Sequence, residues 1–149
     1  MKKFMLLTVF LMISFILYAS VLNPGAPEKI KEIFQHQFPQ IKNPSFFSYG
    51  DSYEVYFKKE DNSSERIYYN LDGAIIKTIK YYFESALEPF IKEKLYKNYK
   101  GKTIQSITEL QSNFEHFYQI ILEDDNSLYV VKCDDKGSLE TKKIFNRRS

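Results

Sequence analysis

Apolar residues recur along this chain in two rhythms. Between Pro27 and Pro39 they fall at Ile30, Ile33, Phe34 and Phe38, one stripe on a helix. Pro27 and Glu28 suit the first turn, and Pro39 pushes the residue before it out of the α region. The rhythm then becomes period two. Asn43 to Tyr49 carries Phe46, Phe47 and Tyr49, and Ser52 to Lys59 sets Tyr53, Val55 and Phe57 on one face. Glu54, Tyr56 and Lys58 take the other. Arg66 to Leu71 points Ile67, Tyr69 and Leu71 inward, Asp72-Gly73 marks a tight turn, and Ala74 to Tyr82 makes a fourth strand.

The same order then recurs. Ala86, Leu87, Phe90, Ile91 and Leu95, with Pro89 near the start, suit a second helix that ends at Lys100-Gly101. Thr103 to Leu110, Phe117 to Leu122, Ser127 to Cys133 and Leu139 to Phe145 read as strands. Tyr53 to Phe57 aligns with Tyr118 to Leu122, and Arg66 to Asn70 with Leu128 to Lys132. The expected architecture is α+β, a tandem repeat of one helix plus a four-stranded antiparallel meander, with the helices packed on one sheet face. The first repeat spans 27–82 and the second 83–145, after a lead-in at 21–26 and before a tail at 146–149.

Residues 1–20 stand apart. Lys2 and Lys3 precede an apolar run from Phe4, and Ala19-Ser20 offers small residues for cleavage, so the segment reads as a signal peptide. An uncleaved N-terminal anchor is the alternative, since Phe4 to Leu22 is long enough to span a bilayer. The expected location is periplasmic or secreted, with membrane contact only if this segment stays on. Of 21 Lys and Arg, two lie here; the other 19 balance 19 Asp and Glu. That removes the case for nucleic acid. The lysines at 92, 94, 97, 100 and 102 read as a solvated helix end.

Chemistry is sparse. One cysteine excludes an internal disulfide and a Cys-built zinc site. Cys133 alternates within a strand and reads as a buried, inert thiol. His36 and His116 have no second ligand at metal spacing. Glu60-Asp61, Asp124-Asp125 and Asp134-Asp135 lack the spacing of calcium loops and match turn preferences. The five glycines are scattered, so no phosphate loop is present. The expectation is a non-enzyme without cofactors.

The helix closing Ile33-Phe34-Gln35-His36-Gln37-Phe38-Pro39, the strand Tyr53-Glu54-Val55-Tyr56-Phe57 and the turn Tyr69-Asn70-Leu71-Asp72-Gly73 resemble the PepSY-like family, also labelled β-lactamase-inhibitor-like. The second half departs from that pattern, with Lys100-Gly101 where a Pro would follow Tyr99. The resemblance implies a small exported domain of the bacterial envelope without known catalytic residues.

Aromatic residues are the remaining signal, 13 Phe and 12 Tyr. Tyr56 and Tyr68 fall on the face carrying Glu54, Lys58 and Arg66, and Tyr129 is taken as the counterpart of Tyr68 in the second half, one residue off the alignment above. Tyrosines spaced among charges on a sheet face have the composition of a recognition surface. The expected partner is another envelope protein. The competing reading is a periplasmic carrier of a small ligand between helix and sheet, which calls for a cavity lined by Phe and Ile.

Overall fold

The computed structural model describes residues 25–146. The expected signal peptide, most of the lead-in and the last three residues of the tail lie outside the described residues. Helix α1 (Glu28–Gln37) precedes strands β1 (Ser45–Tyr49), β2 (Ser52–Lys58), β3 (Ser64–Asn70) and β4 (Ile75–Tyr82). A 3-10 turn (Glu84–Ala86) leads into helix α2 (Pro89–Asn98), then β5 (Thr103–Ser112), β6 (His116–Glu123), β7 (Ser127–Asp134) and β8 (Leu139–Asn146).

The chain does not form the expected two repeats of a helix plus a four-stranded meander. β4 and β5 pair antiparallel from Lys77↔Ser112 to Tyr82↔Ile107. All eight strands therefore form one sheet in chain order, a single meander. The physical reason is edge satisfaction. Two four-stranded sheets would leave the outer N–H and C=O groups of β4 and β5 unpaired. Joining them satisfies both rows. The alternation that reveals a strand says nothing about which strand lies beside it.

Register places the core. Residues directly opposite share a face. Val55 stands opposite Ile67 and Ile67 opposite Thr78. Tyr82, four residues along β4 from Thr78, stands opposite Ile107, and the series continues through Ile120 and Val131. One face thus carries both cores. Ile30 and Phe34 of α1 pack with Val55, Phe57, Ile67 and Tyr69. Leu87 and α2's Ile91 and Leu95 pack with Ile107, Ile120, Leu122, Val131 and Cys133. Phe34 stacks on Phe38, with ring centroids 5.1 Å apart, and meets Phe46 edge-on at 5.8 Å. The uncovered middle of this face is polar. Lys80 and Glu109 stand opposite each other there, between the two apolar clusters.

Some details differ from the sequence pattern. Pro44 precedes β1, which starts at Ser45. Helix α2 starts at Pro89 instead of Ala86, so Ile91 and Leu95 face the sheet and Phe90 is left 44% exposed. Leu71, expected inward, sits in the β3–β4 turn and is exposed, because the strand ends at Asn70. Asn146, assigned to the tail, closes β8.

The β3–β4 turn shows a required glycine. Gly73 has φ of 91°, and a Cβ there would collide with the end of the Ile33 side chain. Asn70 Oδ1 accepts from the Asp72 and Ala74 amides at 3.1 and 2.8 Å. The turn that ends β3 is therefore also a contact for α1.

Phe34 is fully buried and touches the rings of Phe38, Phe46 and Phe57. Phe34→Ala is expected to cost about 3–5 kcal/mol. Chemical denaturation monitored by circular dichroism checks it; a loss below about 1 kcal/mol contradicts the packing described.

Candidate protein-binding face

The opposite sheet face is left uncovered by both helices. β2 and β3 bring Tyr56 opposite Arg66 and Glu54 opposite Tyr68. Four of the six residues singled out from the sequence therefore meet in one block. Arg66 donates from Nη1 to Glu54 Oε1, and its guanidinium lies over the Tyr56 ring at 5.1 Å. Glu54 is only 2% exposed although no helix covers it. The Arg66 and Tyr68 side chains beside it account for that. Burial first, then the Glu54 carboxylate, pushes the Tyr68 hydroxyl up to about 12. Arg66 Nε is buried without a hydrogen-bond partner. The guanidinium is thus held by its carboxylate and by the ring below it.

Lys58 is exposed at the end of β2. With Ile41, Lys42, Ser45, Tyr56 and Phe57 it lines an open groove of about 830 Å³ beside the short strand β1. Tyr56 is shared by the groove and the sheet face.

Tyr129 does not join this block. It stands opposite Leu122 and has the same parity as Val131 and Cys133, so it lies on the helix-covered face. Its hydroxyl donates to Asp124 Oδ2 at 2.9 Å, and Lys102 Nζ sits 3.9 Å from its ring centre. Lys102, the amides of Asn126 and Ser127, and the Tyr129 hydroxyl together hold the Asp124 carboxyl far below the usual carboxylate range. Tyr129 is a turn-fixing residue in this fold.

Sequence reasoning missed the partners that extend the open face. Lys77 stands opposite Tyr68, and its Nζ lies 3.8 Å from that ring centre. Farther along, Lys132 lies 3.9 Å from the ring centre of Phe117, and Lys143 lies 4.4 Å from that of Phe145. Cations lying flat on rings thus recur across this face. Lys77 was hidden by a bulge that shifts the β3–β4 register between Tyr68 and Tyr69. Counting residues back from the turn misses such a shift.

The other candidate groups have structural occupations. Asp61, Asp124 and Asp134 each accept backbone amides within their own turns. His36 is exposed in the last turn of α1. His116 Nε2 is 3.0 Å from Glu109 Oε1, and Tyr82 donates to Glu109 Oε2 at 3.1 Å. Among the described residues, no group of three His, Cys, Asp or Glu is placed to hold a metal ion. No described helix is long and apolar enough to cross a membrane. Cys133 is fully buried, and burial, with the Asp134 carboxylate second, pushes its thiol up to about 11.

No family model matches the chain, and no curated protein matches it. Solved structures do. A BLIP-like protein from Bacteroides fragilis NCTC 9343 superposes with a TM-score of 0.61 at 10% identity, over 83% of this chain and 89% of that one. A DUF2874 family protein from Bacteroides ovatus ATCC 8483 gives 0.59 at 15% identity, over 80% and 86%. A candidate periplasmic protein from Bacteroides eggerthii DSM 20697 gives 0.60 at 13% identity, over 81% and 88%. These likenesses show a shared fold, in keeping with the PepSY-like resemblance, and at such identities they carry no activity.

Two outcomes follow from the site. Arg66→Leu strands the buried Glu54 carboxylate. The expected cost is about 2 kcal/mol, less than for a fully enclosed pair because the Arg66 side chain is 37% exposed. Urea unfolding at neutral pH checks it, and an unchanged midpoint contradicts the role given to Arg66. Cys133 is expected to resist a thiol reagent at pH 8 in the folded protein, where on the order of one thiol in a thousand is ionised, and to react fully in guanidinium. Stoichiometric reaction of the native protein contradicts the buried assignment.

Proposed function

We propose that the chain is an exported, non-catalytic protein-binding module that captures another protein of the cell envelope on its uncovered sheet face. The observation that carries this reading is the block of Tyr56, Tyr68, Arg66 and Lys77 on a face that neither helix covers. Tyrosine and arginine are the side chains that most often supply binding energy at protein interfaces. Here their geometry is set in advance. Tyr56 lies under Arg66, Tyr68 under Lys77, and Arg66 is tied to Glu54, so little side-chain freedom is lost on capture. Lys58 extends the block toward the groove. Tyr129 is not part of the proposed surface.

Other observations support the same class. The leader-like segment at 1–20 fits export through the membrane, with the described domain released after it. The solved structures that share the fold include a BLIP-like protein and a candidate periplasmic protein. The carrier reading lacks comparable support. Where helix meets sheet, Phe34, Ile30, Ile91 and Leu95 are 0–1% exposed and pack within the two apolar clusters. The cavity beside α2's entry, about 290 Å³, is lined by Lys80, Glu88, Glu109, Tyr82 and Tyr118. That lining is polar, and the larger groove beside β1 is open and sets Ile41 and Phe57 among Lys42, Lys58, Lys59, Glu60 and Asp61, so neither offers the enclosed Phe and Ile walls such a carrier needs.

The test is capture from an envelope extract of the source cell with the chain from Val21 onward as bait, which keeps every described element. Tyr56→Ala/Tyr68→Ala is expected to weaken capture about 10- to 100-fold, with an unchanged circular dichroism spectrum. Equal capture by the folded double variant contradicts this surface.

A further inference from the structure

The two edges of the sheet are unlike. β1 is five residues long, follows Pro44 and is bordered by the groove. Short strands and prolines are usual ways of blunting an edge. β8 runs eight residues from Leu139 to Asn146 without a proline, and among the described residues no strand lies beyond it. Its burial is slight throughout, with Ile144 at 53% and Phe145 at 45% exposed.

The direction of its backbone groups follows from the flanking turns. Asp124 N–H donates to Ser127 O, so the odd residues of β7 bond toward β6. Asp134 N–H donates to Ser138 O, so the even residues of β7 bond toward β8. On β8 the residues facing those even positions are Glu140, opposite Lys132, and Lys143, opposite Val130. Leu139, Thr141 and Ile144 therefore turn their N–H and C=O groups outward, away from β7.

The bulge between Val130 and Val131 leaves Lys142 without an opposite residue on β7. It also sets the faces. Leu139 and Ile144 share the face of Cys133 and Tyr129, and Glu140 and Lys143 share the face of Lys132 and Val130. In a regular strand, residues five apart point to opposite faces. Here the extra residue brings Leu139 and Ile144 to one face, and both present outward backbone groups.

We propose that β8 is a self-pairing edge. Two copies of this chain associate antiparallel through it, with Leu139 of each opposite Ile144 of the other and Glu140 opposite Lys143. That register satisfies three conditions together. Outward backbone groups meet outward groups, apolar side chains meet on one face, and opposite charges meet on the other. Moving one copy by one residue sets inner faces against outer ones. A register that places Glu140 opposite its own copy sets like charges together. Within one chain Glu140 is paired with Lys142, but these side chains are 64% and 47% exposed, so exchanging that partner costs little. The product is one sixteen-stranded sheet that leaves the Tyr56–Tyr68 block free on both copies, at the far side of each sheet.

Sedimentation velocity of the chain from Val21 onward, over about 1 μM to 1 mM, tests the pairing. A concentration-dependent dimer is expected. Glu140→Lys and Lys143→Glu alone each place like charges opposite one another twice, and each is expected to raise the dimer dissociation constant about tenfold. The double variant Glu140→Lys/Lys143→Glu restores both contacts and is expected to return to the wild-type constant. Tyr56→Ala/Tyr68→Ala is expected to leave it unchanged, which separates this pairing from partner capture. A monomer at every concentration overturns the proposal. So does a dimer that ignores the single swaps, or one that the double swap fails to restore.

Discussion

The pairing of β4 with β5 is the constraint on which the rest depends. Those strands are separated in the chain by the 3-10 turn and α2, and their register runs from Lys77↔Ser112 to Tyr82↔Ile107. With that pairing in place, both helices lie on one side of a continuous sheet and both apolar clusters face the same way. The other side is then a single uninterrupted surface of eight strands. Without it the two halves would each present edges, and the open face would be two unrelated strips.

Continuity has a consequence for charge. The middle of the helix-side face cannot be apolar throughout, because neither helix reaches it. Glu109 sits there with its side chain 13% exposed and within reach of Lys80, Tyr82 and His116. Glu65, 6% exposed, is paired with Lys59 at 2.8 Å. On the open side Glu54 is held by Arg66. Each buried carboxylate of the described sheet thus has a cation at hand, as burial of charge requires. The Tyr82 hydroxyl, buried and next to Glu109, is held well above its ordinary value, which keeps it a donor to that carboxylate.

Strand identity was largely legible from residues such as Val55, Phe57, Ile67 and Tyr69, because period-two burial leaves a local trace. Turns were legible too, since Asp72-Gly73 and Asp134 to Gly137 carry the residues that positive φ and side-chain-to-amide bonds demand. Tyr56, Tyr68, Glu54 and Arg66 were found together because parity along two adjacent strands was enough. Tyr129 was placed on the wrong face as a counterpart of Tyr68, although the alignment of Arg66–Asn70 with Leu128–Lys132 sets it against the inward Ile67, and its parity with Val131 and Cys133 ties it to the core. The joining of the sheet left no local trace. Whether β4 and β5 meet is decided by twenty intervening residues and by how α2 packs, and the recurrence of the pattern favoured two units instead. Bulges escaped for a related reason, since one extra residue alters the register without altering composition.

Amide hydrogen exchange measured residue by residue under native conditions tests the continuity of the sheet most directly. Amides bonded between β4 and β5, over Lys77 to Tyr82 and Ile107 to Ser112, are expected to be protected to the same degree as those of β2–β3 and β6–β7 beneath the helices. Exchange across β4 and β5 at the rate of unpaired edge strands, with protection confined to two separate blocks, would contradict it.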